Sequence, residues 1–186
     1  VDEIILQGAT PLFLAAEVNN LDVIKTLVAA GADPLIASDR GTTPLMMASG
    51  AGTDVQRERE PEERATAVET AKFLVEHGAD VNAEWNGDFP ILFAPCESVN
   101  PAGLRWLLEH GANPDCPKPG RTTTALDYLI GTYARSNNLG LCIELLRNAG
   151  GTTRYNRPGV LDTIMDRRDQ LAALLDADPG LLHRRF

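Results

Sequence analysis

Apolar residues in this chain recur in short bursts at helical spacing, separated by turn-forming residues. Leu21, Ile24, Leu27 and Val28 fall three and four positions apart, which lays one apolar stripe along a helix. Gly31 follows, and glycine accepts the left-handed conformation that ends a helix. The burst Leu27-Val28-Ala29-Ala30-Gly31-Ala32-Asp33 returns as Leu74-Val75-Glu76-His77-Gly78-Ala79-Asp80. It returns again as Leu107-Leu108-Glu109-His110-Gly111-Ala112-Asn113. A second block runs in step with the first. Gly8-Ala9-Thr10-Pro11-Leu12 is repeated as Gly41-Thr42-Thr43-Pro44-Leu45. Weaker copies are Gly87-Asp88-Phe89-Pro90-Ile91 and Gly120 leading to Thr124-Ala125-Leu126. Thr10 to Thr43 and Gly78 to Gly111 are both steps of 33 residues, so two independent blocks share one period.

The first block predicts a helix start. The threonine side chain caps, and proline is tolerated at the first helical position, where its missing N–H has no helical partner anyway. Ala15 and Ala16 are small enough for a neighbouring helix to approach closely. Each unit is therefore a turn, a short helix, a turn and a second helix. The expected whole is an all-α chain of about ten short helices in antiparallel pairs, with turn fingers and at most isolated β bridges. Asn19-Asn20-Leu21 is echoed in Asn137-Asn138-Leu139, which makes Leu145-Leu146 the fourth copy of the second block and puts Ala149 where its glycine belongs.

These blocks resemble the ankyrin repeat, whose usual pattern is Gly-x-Thr-Pro-Leu-His-x-Ala-Ala, an apolar helix, then Gly-Ala-Asp. The resemblance implies one solenoid domain over 1–186, with repeats near 8–40, 41–86, 87–119 and 120–155 and a divergent one at 156–186. The family histidine is absent, with Phe13, Met46, Leu92 and Asp127 in its place. Apolar packing is expected to replace its hydrogen bonds between repeats.

The second repeat departs from the period. Thr10 to Gly31 spans 21 residues and Thr43 to Gly78 spans 35, an excess of 14 between its two helices. Pro61 followed by Glu62 and Glu63 reads as a helix start with acids favoured by the helix dipole, so this repeat's second helix is expected to be longer than the others. The rest of the insertion is either a solvated loop of mixed charge or a partner-specific protrusion.

Composition narrows the function further. The 186 residues carry a net charge of −9, which argues against a phosphate-backbone partner. No apolar run approaches the roughly 18–20 residues of a membrane span, so neither nucleic acid nor membrane is an expected partner. Cys96, Cys116 and Cys142 lack any zinc spacing and read as reduced small hydrophobes, which suggests a cytoplasmic, reducing compartment. His77 and His110 repeat one position near a helix C-terminus, about 8–10 Å apart if the helices stack, too far to share a metal. Gly50-Ala51-Gly52 follows a helix and lacks a third glycine, so it is no nucleotide loop. Asp33, Asp80 and Asn113 occupy one turn position and are expected to bond the local backbone. No catalytic, cofactor or metal site is expected.

A stack of this kind presents a concave surface of turn tips and first helices. The resemblance places its contact positions at Asp39, Arg40, Trp85, Asn86, Lys118 and Pro119 on the tips. On the first helices they are Ala9, Glu17, Val18, Thr42, Asp88, Glu97 and Ser98. Trp85 is either an anchor for a partner or folded back over Phe89 or Phe93, and Tyr155 is a weaker candidate in the last turn. The expected function is a scaffold or adaptor binding a partner protein. The alternatives are a targeting or regulatory module of a larger enzyme or effector, and a small-molecule-binding or catalytic protein built on repeats. Apolar residues near both ends, from Ile4-Ile5-Leu6 to Leu181, Leu182 and Phe186, predict end-to-end self-association or further repeats in the parent chain.

Overall fold

A computed structural model describes residues 7–51, 60–85, 89–115, 123–131 and 138–153, with Trp85 described by its backbone alone. The described residues form eight helices and one two-residue strand pair. Helices α1 (Pro11–Glu17) and α2 (Leu21–Ala29) make the first pair, and α3 (Pro44–Ser49) and α4 (Pro61–Glu76) the second. Strands β1 (Glu84–Trp85) and β2 (Phe89–Pro90) lead into the third pair, α5 (Phe93–Glu97) and α6 (Pro101–Glu109). Helices α7 (Ala125–Gly131) and α8 (Leu139–Asn148) make the fourth. The first helices pack in a row, α1 on α3, α3 on α5 and α5 on α7, and the second helices form a layer behind them. This is the all-α stack of helix pairs that the period predicts. The segment assigned to a fifth repeat lies outside the described residues.

The local rules act where the sequence places them. Thr10 Oγ1 accepts from Phe13 N at 3.1 Å, Thr43 Oγ1 from Met46 N at 3.3 Å, and Thr124 Oγ1 from Asp127 N at 3.1 Å. The third repeat has no such cap at Phe89, where the sequence period puts its threonine position; α5 starts later, at Phe93, without a side-chain cap. Helix α4 runs 16 residues against nine for α2 and α6, and starts at Pro61 with Glu62 and Glu63 in its first turn. Its remaining turns keep the usual register, burying Ala67, Thr70, Ala71 and Leu74.

Two registers differ from the sequence expectation. In the fourth repeat the helix-ending glycine is present one residue later: Gly150 has φ +92°, and Gly151 N donates to Leu146 O at 2.8 Å. That bond matches Ala32 N to Leu27 O and Ala112 N to Leu107 O, so Leu146, not Leu145, is the counterpart of Leu27. In the third repeat, Asn100 N donates to Pro95 O as Asn20 N does to Ala15 O. Asn19 and Val99, just before, share the rare positive φ at 52° and 43°. Phe93, not Leu92, therefore stands where Phe13 does.

At this position of the missing histidine, Phe13, Met46 and Phe93 are all buried, as apolar replacement requires. Asp127 breaks that expectation. It is 2% exposed, accepts from Thr153 Oγ1 at 2.6 Å through Oδ1, and faces Thr124 N at 3.4 Å through Oδ2. A hydrogen-bonded carboxylate thus joins the fourth helix pair to the turn after it. Burial without such partners would be strongly disfavoured.

Candidate functional site

The turn fingers are fixed bond by bond. Asp33 Oδ1 accepts from Leu35 N, Asp80 Oδ1 from Asn82 N, and Asn113 Oδ1 from Asp115 N, at 2.8–2.9 Å. These are the local backbone bonds expected of that turn position. A second set of ties, not foreseen from the sequence, runs between neighbouring turns. Asn82 Oδ1 accepts from Asn113 N at 2.8 Å, while its Nδ2 donates to Gly111 O at 3.1 Å. One step along, Asp115 accepts from Thr152 N at 2.9 Å and from Thr152 Oγ1 at 2.7 Å. The polar residues at 82 and 115 are 33 apart, and that spacing was the available signal.

Asp39 and Arg40 are exposed at the first finger tip. Their backbone is held by Asp39 N to Gln7 O at 2.8 Å and by Ser38 N to Thr42 O at 2.9 Å. The tip is therefore a rigid mount for two side chains of opposite charge. Glu17 and Glu97 are half-buried at the ends of α1 and α5, and Val18 is 70% exposed. Two expected contact positions are instead internal. Thr42 is 2% exposed, and Ser98 is 4% exposed with Oγ donating to Ala94 O at 3.1 Å and lying 3.4 Å from Ser49 O. Ser98 is enclosed because the end of α3 packs onto it, a Cβ on Gly50 lying 2.7 Å from Ser98 Cβ, a relation invisible along the chain. The backbone of Trp85 pairs with Phe89 in the finger hairpin. Its side chain, and Asn86, Asp88, Lys118, Pro119 and Tyr155, lie outside the described residues.

The remaining titratable groups have structural settings. His77 Nδ1 sits 2.7 Å from Phe73 O with the rings 4.1 Å apart. His110 Nδ1 sits 2.7 Å from Trp106 O and stacks on Trp106 at 4.0 Å. Each imidazole thus ties down its own helix end. Cys96 and Cys142 are free and wholly buried. Burial pushes the Cys96 thiol well above its ordinary range and the Cys142 thiol up to about 12, so both are neutral. Burial also raises the Tyr128 hydroxyl to about 12, where its ring packs on Phe93 at 5.4 Å. Among the described residues no three His, Cys, Asp or Glu side chains converge as a metal site, and no helix is long and apolar enough to cross a membrane.

The sequence model of the Ankyrin repeat family matches residues 7–39 and 40–86. The crystal structure of the human ASB11 ankyrin repeat domain superposes with a TM-score of 0.61 at 22% identity, over 91% of this chain and 69% of that one. Residues 7–86 are thus ankyrin repeats, and the helix pairs stacked on them through residue 153 continue the same fold.

Proposed function

We propose that the chain is a protein-binding scaffold that holds a partner across its turn tips and first helices. Ankyrin repeats are in general protein–protein interaction modules. The observation that carries the reading is the first finger. Its backbone is pinned by hydrogen bonds at both Ser38 and Asp39, while the Asp39 and Arg40 side chains stand exposed at the tip. A fixed mount lowers the ordering cost of binding, and arginine is a frequent energetic anchor at interfaces. Glu17, Val18 and Glu97 on the first helices extend the same surface, with Trp85, Asn86, Lys118 and Tyr155 as its further members. Among the described residues the thiols of Cys96 and Cys142 are buried and His77 and His110 tie down helix ends, chemistry that serves packing, so binding without catalysis is the reading we adopt.

The test is affinity capture with the full chain against an Asp39→Ala/Arg40→Ala/Trp85→Ala variant of unchanged circular dichroism. A partner retained by the native chain and lost by the variant supports the surface. A partner bound equally by both moves the interface elsewhere.

A further inference from the structure

Three aromatic rings run from a turn finger to the surface of the fourth repeat. Phe89 on β2 meets Phe93 edge to face at 5.3 Å, and Phe93 on α5 meets Tyr128 on α7 at 5.4 Å. Phe93 is 3% exposed, whereas Tyr128 is only partly buried, so the run emerges at the tyrosine. Its ring is held from below by Phe93, which lowers the ordering cost of any contact made to it. Glu97 stands at the same place. It follows Phe93 by four residues, one turn along α5, and is likewise partly buried. Burial, and after it the charge of Glu97, raises the Tyr128 hydroxyl to about 12. The hydroxyl therefore stays protonated, with the carboxylate within electrostatic reach of it.

Charge over the stack is divided in the same sense. Among the described residues the cations Lys25, Arg64, Lys72, Arg105 and Arg147 all stand on second helices, where Lys72 pairs with Glu69. Among the described residues of the first helices and fingers, Arg40 is the one cation, against Glu17, Asp39, Glu84 and Glu97. The side turned to a partner is thus an acidic side of a chain whose net charge is −9. Such a field draws a basic partner and repels an acidic one.

At Tyr128 and Glu97 the two features meet. A cation gains from the electron-rich face of the ring and from the carboxylate together. Arginine fits better than lysine, because its planar guanidinium stacks on an aromatic ring and its fork of N–H donors matches a carboxylate. An apolar or acidic side chain would only take water away from Glu97.

We propose that Tyr128 and Glu97, side by side on α7 and α5, take up an arginine side chain from a basic segment of the partner protein. The inference rests on the scaffold reading above and adds the partner's chemistry to it.

The experiment is fluorescence anisotropy of labelled, end-blocked oligoarginine, oligolysine and oligoglutamate peptides of equal length, at physiological ionic strength. The proteins are the full native chain, Tyr128→Leu, Glu97→Gln, and Glu62→Gln/Glu63→Gln on α4, each of unchanged circular dichroism. The native chain should bind oligoarginine more tightly than oligolysine, and oligoglutamate not at all. Tyr128→Leu and Glu97→Gln should each weaken oligoarginine by about fivefold or more. The α4 variant loses two charges on the second-helix layer and should bind like the native chain. If Tyr128→Leu fails to fold, Glu97→Gln against the α4 variant decides the matter. No oligoarginine binding by the native chain overturns the proposal. So does an equal loss in Glu97→Gln and the α4 variant, which would reduce the effect to general attraction by an acidic chain. A partner lost by the finger variant but held equally by native, Tyr128→Leu and Glu97→Gln chains overturns this inference and leaves the scaffold reading intact. Arginine-selective binding that needs Tyr128 and Glu97, beside a partner indifferent to the finger variant, upholds the arginine site and moves the scaffold surface elsewhere.

Discussion

Replacing Gly50 and Gly31 separately by alanine isolates what close packing between repeats adds to backbone strain. Gly50 ends α3 at φ +114° and Gly31 follows α2 at φ +93°, so a new Cβ meets an unfavourable backbone in both. That strain is about 1–2 kcal/mol. The surroundings differ. A Cβ on Gly31 meets nothing within 4 Å. On Gly50 it would lie 2.3 Å from Ser98 Oγ, 2.7 Å from Ser98 Cβ and 3.0 Å from Ala94 O. The hydroxyl can rotate aside, but Ser98 Cβ and the Ala94 carbonyl belong to the backbone path of α5 and its end, so the repeats must separate. Overpacking of that kind costs about 1–3 kcal/mol. Gly31→Ala should therefore lose about 1–2 kcal/mol, and Gly50→Ala about 2–5 kcal/mol. Urea unfolding followed by circular dichroism measures both. Ser98→Gly should cost less in the Gly50→Ala background than alone, by about 1 kcal/mol, because it removes two of the three close contacts. Equal costs for the two alanine variants, together with additivity in that cycle, would refute the packing of α3 against α5 described above.

Further outcomes follow from the ties and the buried groups. Asn82→Ala removes two bonds to the next turn, Asn113 N and Gly111 O, and should cost about 1 kcal/mol in urea unfolding, since the freed groups are exposed to water. Asp127→Ala should cost more, about 2–3 kcal/mol, because it strips a buried acceptor from Thr153 Oγ1; Asp127→Asn should recover part of the loss in the same assay. The Cys142 thiol, held up to about 12 by burial, stays neutral in the fold while the unfolded thiol ionises above its ordinary 9.0. Its contribution is therefore constant below pH 9, and stability falls as pH rises from 9 toward 12, by up to about 1.4 kcal/mol per pH unit. Urea midpoints at pH 8 and 10 should show a smaller loss for Cys142→Val than for the native chain.

The repeat length, the helix pairs, the threonine caps, the helix-ending glycines and the early start of α4 were all legible in the sequence. They rest on bonds between residues two to five apart, such as Thr10 with Phe13 or Asp80 with Asn82, and a linear pattern records that spacing directly. The register of the third and fourth repeats was not legible, because motif matching tolerates a one-residue slip that a backbone bond does not. Gly151 N must reach one particular carbonyl, and it reaches Leu146 O. Asp127 was read as a lost histidine because its partner Thr153 lies 26 residues away, and only the stacking of one repeat on the next brings that hydroxyl to it. The same holds for the surface. Ser98 and Val18 look alike in a repeat alignment, yet Ser98 is sealed by Gly50 while Val18 is open. Local chemistry determined what each repeat is; contact between repeats decided which of its side chains remain available to bind.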